Sequence, residues 1–190
     1  MRTQSPATSA NRRSLFFLAR FLGLLVAFYL LAASNPVNRA VIVPFTSVIA
    51  RVSAGVLNLL GEKVIVAGTE IRSGLFAVEI ENGCNGVETA LLFGSAVLAF
   101  PAPWRRRLIG LLLGFFAIEL VNLVRVVTLF WVGAHRPAFF SASHTVLWQS
   151  IVVLCGVLLF LLWASREART SVAAESRAKD AAEHGPPRSR

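Results

Sequence analysis

The chain has 190 residues, 55% of them hydrophobic and only 15% charged, with a mean hydropathy of +0.65. This is too apolar for a soluble domain of that size and points to a polytopic membrane protein. The formal net charge of +9 is read as topology before nucleic-acid binding, because basic residues of membrane proteins gather in cytoplasmic loops.

Residues 15–33 form the first apolar run, long enough to cross a bilayer, and Arg2, Arg12 and Arg13 precede it. Its length, with no clear small-residue cleavage site after it, marks an uncleaved span rather than a signal peptide. Ser34-Asn35-Pro36 then breaks the helix. Residues 41–60 are apolar but interrupted by Pro44, Arg51 and Asn58. An arginine at mid-bilayer is costly, so this segment is expected to lie in the interface or dip into it. Counting it as a span would invert every later loop.

Residues 63–80 change character. Val64, Val66, Ile71, Phe76, Val78 and Ile80 fall largely in alternation, with Gly68 and Gly74 as turn signals. This reads as a short β-hairpin outside the membrane. A second span is expected over 86–100, followed by a tight basic turn, Pro101-Ala102-Pro103-Trp104-Arg105-Arg106-Arg107. A third covers 108–133 and a fourth 145–164. Residues 165–190, charged and rich in Ala, Ser and Pro, read as a disordered or loosely helical tail.

The expected fold is therefore an all-α polytopic membrane protein: about four transmembrane helices, an interfacial helix and a small extracytoplasmic β-hairpin. One membrane-embedded domain covers 1–164. The positive-inside rule puts both termini and the 105–107 turn in the cytoplasm and 34–85 outside. The tail has six basic residues against four acidic, whereas 62–81 has Lys63 and Arg72 against Glu62, Glu70, Glu79 and Glu81.

Candidate chemistry concentrates at the outer boundary. Cys84 stands in Glu81-Asn82-Gly83-Cys84-Asn85-Gly86-Val87-Glu88, a polar, glycine-flanked turn just before a helix start. A cysteine nucleophile acts as the thiolate, which positive charge or a helix N-terminus favours. The turn is also expected to leave N–H groups free as oxyanion donors. Arg125 belongs to a series Glu119, Asn122, Arg125, Thr128 that spirals down one side of a helix and so faces the bundle. It lies roughly 12 Å below the helix end, within snorkelling reach of the surface. A buried Glu119–Arg125 ion pair is the structural alternative. His144, behind the cap region Ser141-Ala142-Ser143 and with Trp148 one turn on, is the base candidate, in competition with His135; His184 falls on the wrong side. Cys155 sits inside an apolar run, so the two cysteines are expected as free thiols. No CxxC, HExxH or glycine-rich phosphate loop is present, and no cofactor or metal is expected.

Three blocks in this order resemble the exosortase/archaeosortase family of membrane cysteine transpeptidases. They are Cys84-Asn85-Gly86-Val87, Asn122-Leu123-Val124-Arg125 and His144-Thr145-Val146-Leu147-Trp148. The wording around Cys84 is most similar to the exosortase H branch. Leu147 stands where the family often has glycine, and the extra N-terminal spans of larger members are lacking. The resemblance implies a catalytic set of Cys84, Arg125 and His144 in the inner membrane, facing the periplasm. Implied partners are exported proteins with a C-terminal signal of short motif, transmembrane helix and basic cluster. An Ile-Pro-Thr-Leu-like motif is associated with this branch, and the acceptor molecule is unidentified. Two rival readings stand beside it: an intramembrane-type cysteine protease using water, and a non-enzymatic channel or assembly factor with Arg125 and Glu119 lining a polar path.

Overall fold

The structure is a computed structural model that describes residues 6–183. Helix α1 (Pro6–Ala33) presents Leu15, Phe16, Leu18, Leu22 and Leu30 outward. An apolar surface of that extent belongs in lipid, and residues 12–33 are long and apolar enough to cross it. The Ser34 hydroxyl donates to the Leu31 carbonyl at 2.6 Å, and Pro36 opens the next helical segment. That segment passes from α2 (Asn35–Val37) through a π-helical turn (Asn38–Ile42) into α3 (Val43–Leu59).

Two helix lengths differ from the expected ones. Residues 35–59 form 25 helical residues, apolar enough to cross by length and composition, where an interfacial helix was expected over 41–60. Arg51 lies on the exposed face of α3, while Thr46, Ile49, Ala50, Ser53, Ala54 and Leu57 form the buried one. On a helix crossing the bilayer that exposed face would put Arg51 in lipid, so the physical ground for an interfacial placement remains. Conversely, the 86–100 segment gives only the 13-residue α4 (Val87–Ala99). At 1.5 Å per residue that is about 20 Å, short of a hydrocarbon core of about 30 Å. Among the described residues, four helices are long and apolar enough to cross by length and composition: 12–33, 35–59, 104–135 and 137–180.

Between α3 and α4 the expected hairpin is a three-stranded antiparallel meander: β1 (Ile65–Ala67), β2 (Glu70–Arg72) and β3 (Ala77–Glu79). The register pairs Val66 with Ile71 and Ile71 with Val78, so Ile71 is the fully buried centre of the sheet. Asn58, an interruption of an apolar run in the sequence, has a definite use. Its side-chain amide donates to the Val64 carbonyl and its oxygen accepts the Val64 N–H at 3.0 Å. The end of α3 is thereby tied to the start of the sheet.

Helix α5 (Trp104–His135) is the spine. Its second half packs on α3 and the sheet through Ile49, Ala54, Leu57, Ile71, Val126 and Phe130. Its first half packs on α4 and α7 through Phe93, Val97 and Ile118, with Leu159, Phe160 and Trp163 against them. α4 lies at the centre, against α1, α5 and α7.

The last helix does not start at a serine cap, as was expected before 145. α6 (Pro137–Ala142) runs into a π-helical turn (Ser143–Trp148) and on into α7 (Gln149–Glu183). The helix continues through 165–183, where Glu167 pairs with Arg106 of the basic turn at 3.1 Å. His184 lies outside the described residues.

Candidate active site

The loop that carries Cys84 is shaped by two glycines. Gly83 and Gly86 have φ of +89° and +82°, a left-handed conformation that residues with a Cβ avoid. At Gly86 the space is closed as well, because a Cβ would stand 2.5 Å from a carboxylate oxygen of Glu119. The loop therefore lies directly on α5. Asn85, 1% exposed, anchors it on the other side. Its amide donates to the Thr46 hydroxyl at 2.9 Å, which in turn donates to the Ile42 carbonyl. Its oxygen accepts the Val87 N–H at the start of α4. Thr46 carries no signal in the sequence that could have marked it. Asn85 stands inside the cysteine motif, but its role as anchor needs the packing of α3.

The three candidate residues converge on one sulfur. His144 Nε2 lies 2.9 Å from Cys84 Sγ. Arg125 Nη2 donates to the same sulfur at 3.4 Å, and Nη1 to the Gly83 carbonyl at 3.4 Å. Arg125 is 2% exposed, so it does not snorkel outward as expected but lies beneath the loop. No ion pair joins it to Glu119 among the described residues; both Glu119 carboxylate oxygens and both Asn122 amide atoms are buried without a hydrogen-bond partner. His144 sits on the π-helical turn rather than at a helix start, and the ring stacked on it is Phe140, at 5.8 Å and 14°. His135 is engaged elsewhere, stacked on Trp131 and 3.6 Å from Glu62.

Electrostatics refines the expected activation of the cysteine. Burial pushes the Cys84 thiol above its ordinary value; Arg125 opposes this, and Glu81 and Glu88 add to it. Burial thus favours the neutral thiol, and a ring nitrogen of His144 stands in contact with it. The expected oxyanion role for backbone N–H groups is narrowed: Cys84 N–H donates to the Glu81 carbonyl and Val87 N–H to Asn85. A donor that reaches the sulfur directly is the Arg125 guanidinium. Both cysteines are free thiols. Among the described residues no three His, Cys, Asp or Glu side chains converge to hold a metal ion.

A thiol, an imidazole and a buried guanidinium in contact can support acyl transfer, with nucleophile, proton carrier and fixed cation all in place. The chain matches the family model described as transmembrane exosortase, over residues 7–164. No curated protein and no solved structure matches the chain. The match covers most of the chain and all three converging residues: the protein belongs to the transmembrane exosortase family.

Proposed function

We propose that this chain is a membrane-embedded cysteine transpeptidase that cleaves the C-terminal sorting signal of exported proteins and passes them to an acceptor. The observation that carries this reading is the contact of Cys84 Sγ with both His144 Nε2 and the Arg125 guanidinium. His144 takes the thiol proton and the sulfur attacks the scissile carbonyl. Arg125 stabilises the charge that develops beside it. The tetrahedral adduct collapses, His144 returns the proton to the leaving amine, and the N-terminal fragment remains on Cys84 as a thioester. An acceptor nucleophile then releases it. The tail substrate, with an Ile-Pro-Thr-Leu-like motif and a single helix, reaches the site from within the bilayer. The arginines at 12, 13 and 105–107 favour an inner-membrane orientation with Cys84 toward the periplasm.

The test is expression in spheroplasts with a tailed substrate, read by mass of the products. Cys84→Ala abolishes cleavage while membrane-inserted protein persists, hydroxylamine releases wild-type adduct as a hydroxamate, and an impermeant thiol reagent reaches Cys84 from outside. Wild-type processing by Cys84→Ala would sink the transpeptidase reading and leave the channel or assembly reading as the better account. Labelling of Cys84 only after permeabilisation would reverse the orientation.

A further inference from the structure

Arg106 precedes Arg125 by nineteen positions on α5, about 28 Å at 1.5 Å per residue, so the basic turn lies far from the reacting sulfur. α7 reaches the same level there: Arg106 Nη1 donates to Glu167 Oε2 at 3.1 Å. Between the two helices at this level is a cavity of about 580 Å³, with Arg106, Arg166 and Glu167 as its charged wall. Arg166 is exposed, and among the described residues no ion pair joins it to a carboxylate. Two guanidinium groups against one carboxylate leave the mouth cationic. Arg105 and Arg107 flank Arg106, and Arg169 follows Arg166 by three positions, on the same side of α7.

The rest of the cavity is apolar. Phe93 and Trp163 stand in its wall, pressed on Gly114 and Gly110 of α5. Ile109, Leu113 and Leu162 also line it, and all three are exposed. Ile109 and Leu113 lie about 5 and 10 Å beyond Arg106 along the helix. Cations are thus followed, within the length of a lipid head group, by an aliphatic trough open to the outer surface of the bundle. A free anion would use the arginines and leave the trough idle; an uncharged lipid would do the reverse. A transmembrane helix flanked by basic residues would be repelled at the mouth. An anionic phospholipid matches both parts, and the guanidinium fork suits a phosphate in particular.

We propose that the groove between α5 and α7 is a binding site for one anionic phospholipid, its phosphate held by Arg106 and Arg166 and an acyl chain laid in the trough. Glu167 competes with the phosphate for Arg106, so the Arg106–Glu167 pair sets the affinity of the site as well as tying the two helices together. A lipid that binds here touches both α5 and α7 and stabilises the folded bundle by mass action. The site is independent of the chemistry at Cys84.

The test uses the full chain in detergent micelles with equal amounts of dioleoyl phosphatidylglycerol and dioleoyl phosphatidylcholine, and counts retained lipids by native mass spectrometry. Retention of phosphatidylglycerol is expected to saturate at one per chain and to exceed that of phosphatidylcholine about fivefold, the share of one uncommitted arginine. Arg166→Gln should bring the two lipids close to parity. Arg12→Gln removes the same charge from α1 and should leave the preference as it is. Glu167→Gln frees Arg106 and should raise the preference about fivefold again, whereas a pair that only held the helices together would give a loss. Ala117→Phe, in the wall of the trough, keeps every charge and should lower retention of phosphatidylglycerol. In wild-type protein, which needs no variant to fold, phosphatidylglycerol should raise the Tm and inorganic phosphate at the same concentration should not. The site is overturned by equal losses in Arg12→Gln and Arg166→Gln, by a lower preference in Glu167→Gln, or by retention that does not saturate. It is also overturned if phosphate stabilises as well as the lipid does, or if a second copy of the chain displaces the lipid and appears as a dimer.

Discussion

The two halves of α5 are packed in different materials. Toward Trp104 the contacts are rings against glycines and small apolar residues. The Phe93 ring occupies the place of a Cβ on Gly114, and the Trp163 indole that of one on Gly110. Phe100 meets Trp163 edge-on at 5.5 Å, and Phe17 stacks on Phe160 at 6.2 Å. Toward His135 the aliphatic cluster of α3 and the sheet surrounds buried polar groups: Thr46, Asn85, Asn122 and Arg125. A buried polar group without a partner costs about 1–3 kcal/mol. The difference teaches that the ring-packed half supplies stability, and that the polar half is held to it for its chemistry.

The largest effect that would break this contrast is at Arg125. Its two terminal nitrogens reach two acceptors, the Gly83 carbonyl and the Cys84 sulfur. Lysine keeps the charge but not the fork. Arg125→Lys is expected to slow substrate cleavage about 100-fold with a folded protein, the range of a lost oxyanion donor. Near-wild-type cleavage by Arg125→Ala would show that the cation serves neither chemistry nor loop.

Two glycine substitutions sharpen the comparison. Gly86→Ala meets a left-handed φ and the Glu119 carboxylate, so the loop must shift. The cleavage rate per folded molecule is expected to fall about tenfold or more, since small misplacements of a nucleophile are costly. Gly114→Ala meets the Phe93 ring and should cost about 1–3 kcal/mol, read as a lower Tm in detergent, with little change in that per-molecule rate. Equal rate losses in the two variants would erase the distinction between the halves.

The smallest effect is electrostatic. Because burial outweighs Arg125 at Cys84, its alkylation by iodoacetamide should rise with pH to a midpoint above that of a free cysteine. Glu81→Gln removes a charge that opposes the thiolate and should lower the midpoint; Arg125→Met removes one that favours it and should raise it. A wild-type midpoint below that of a free cysteine would mean that the arginine prevails over burial.

Much of this was legible in the sequence. Cys84, Arg125 and His144 stand out because each is a reactive or charged group at the edge of, or inside, an apolar stretch, where it needs a reason. The alternation over 63–80 read as strand because one face of that sheet is buried. Other features depend on contacts between distant segments and leave no local pattern. Arg51 marks the exposed side of α3 only once the buried side is known. Thr46 is one more small residue in an apolar helix until Asn85 reaches it across 39 positions. The cap assigned to Ser141-Ala142-Ser143 failed for a different reason: the three residues suit a helix start, but the helix from Pro137 runs through them.

That continuous helix has a consequence of its own. A π-helical turn inside an α-helix acts as an inserted residue and changes the phase of everything beyond it. α7 must present Gly156 to Thr89 of α4, where no Cβ fits, while the same rod presents His144 to Cys84. The turn at Ser143–Trp148 separates these two demands. The imidazole can be set in angle against the sulfur without rotating the face on which α7 is packed, as a vernier sets a fine position on a fixed scale.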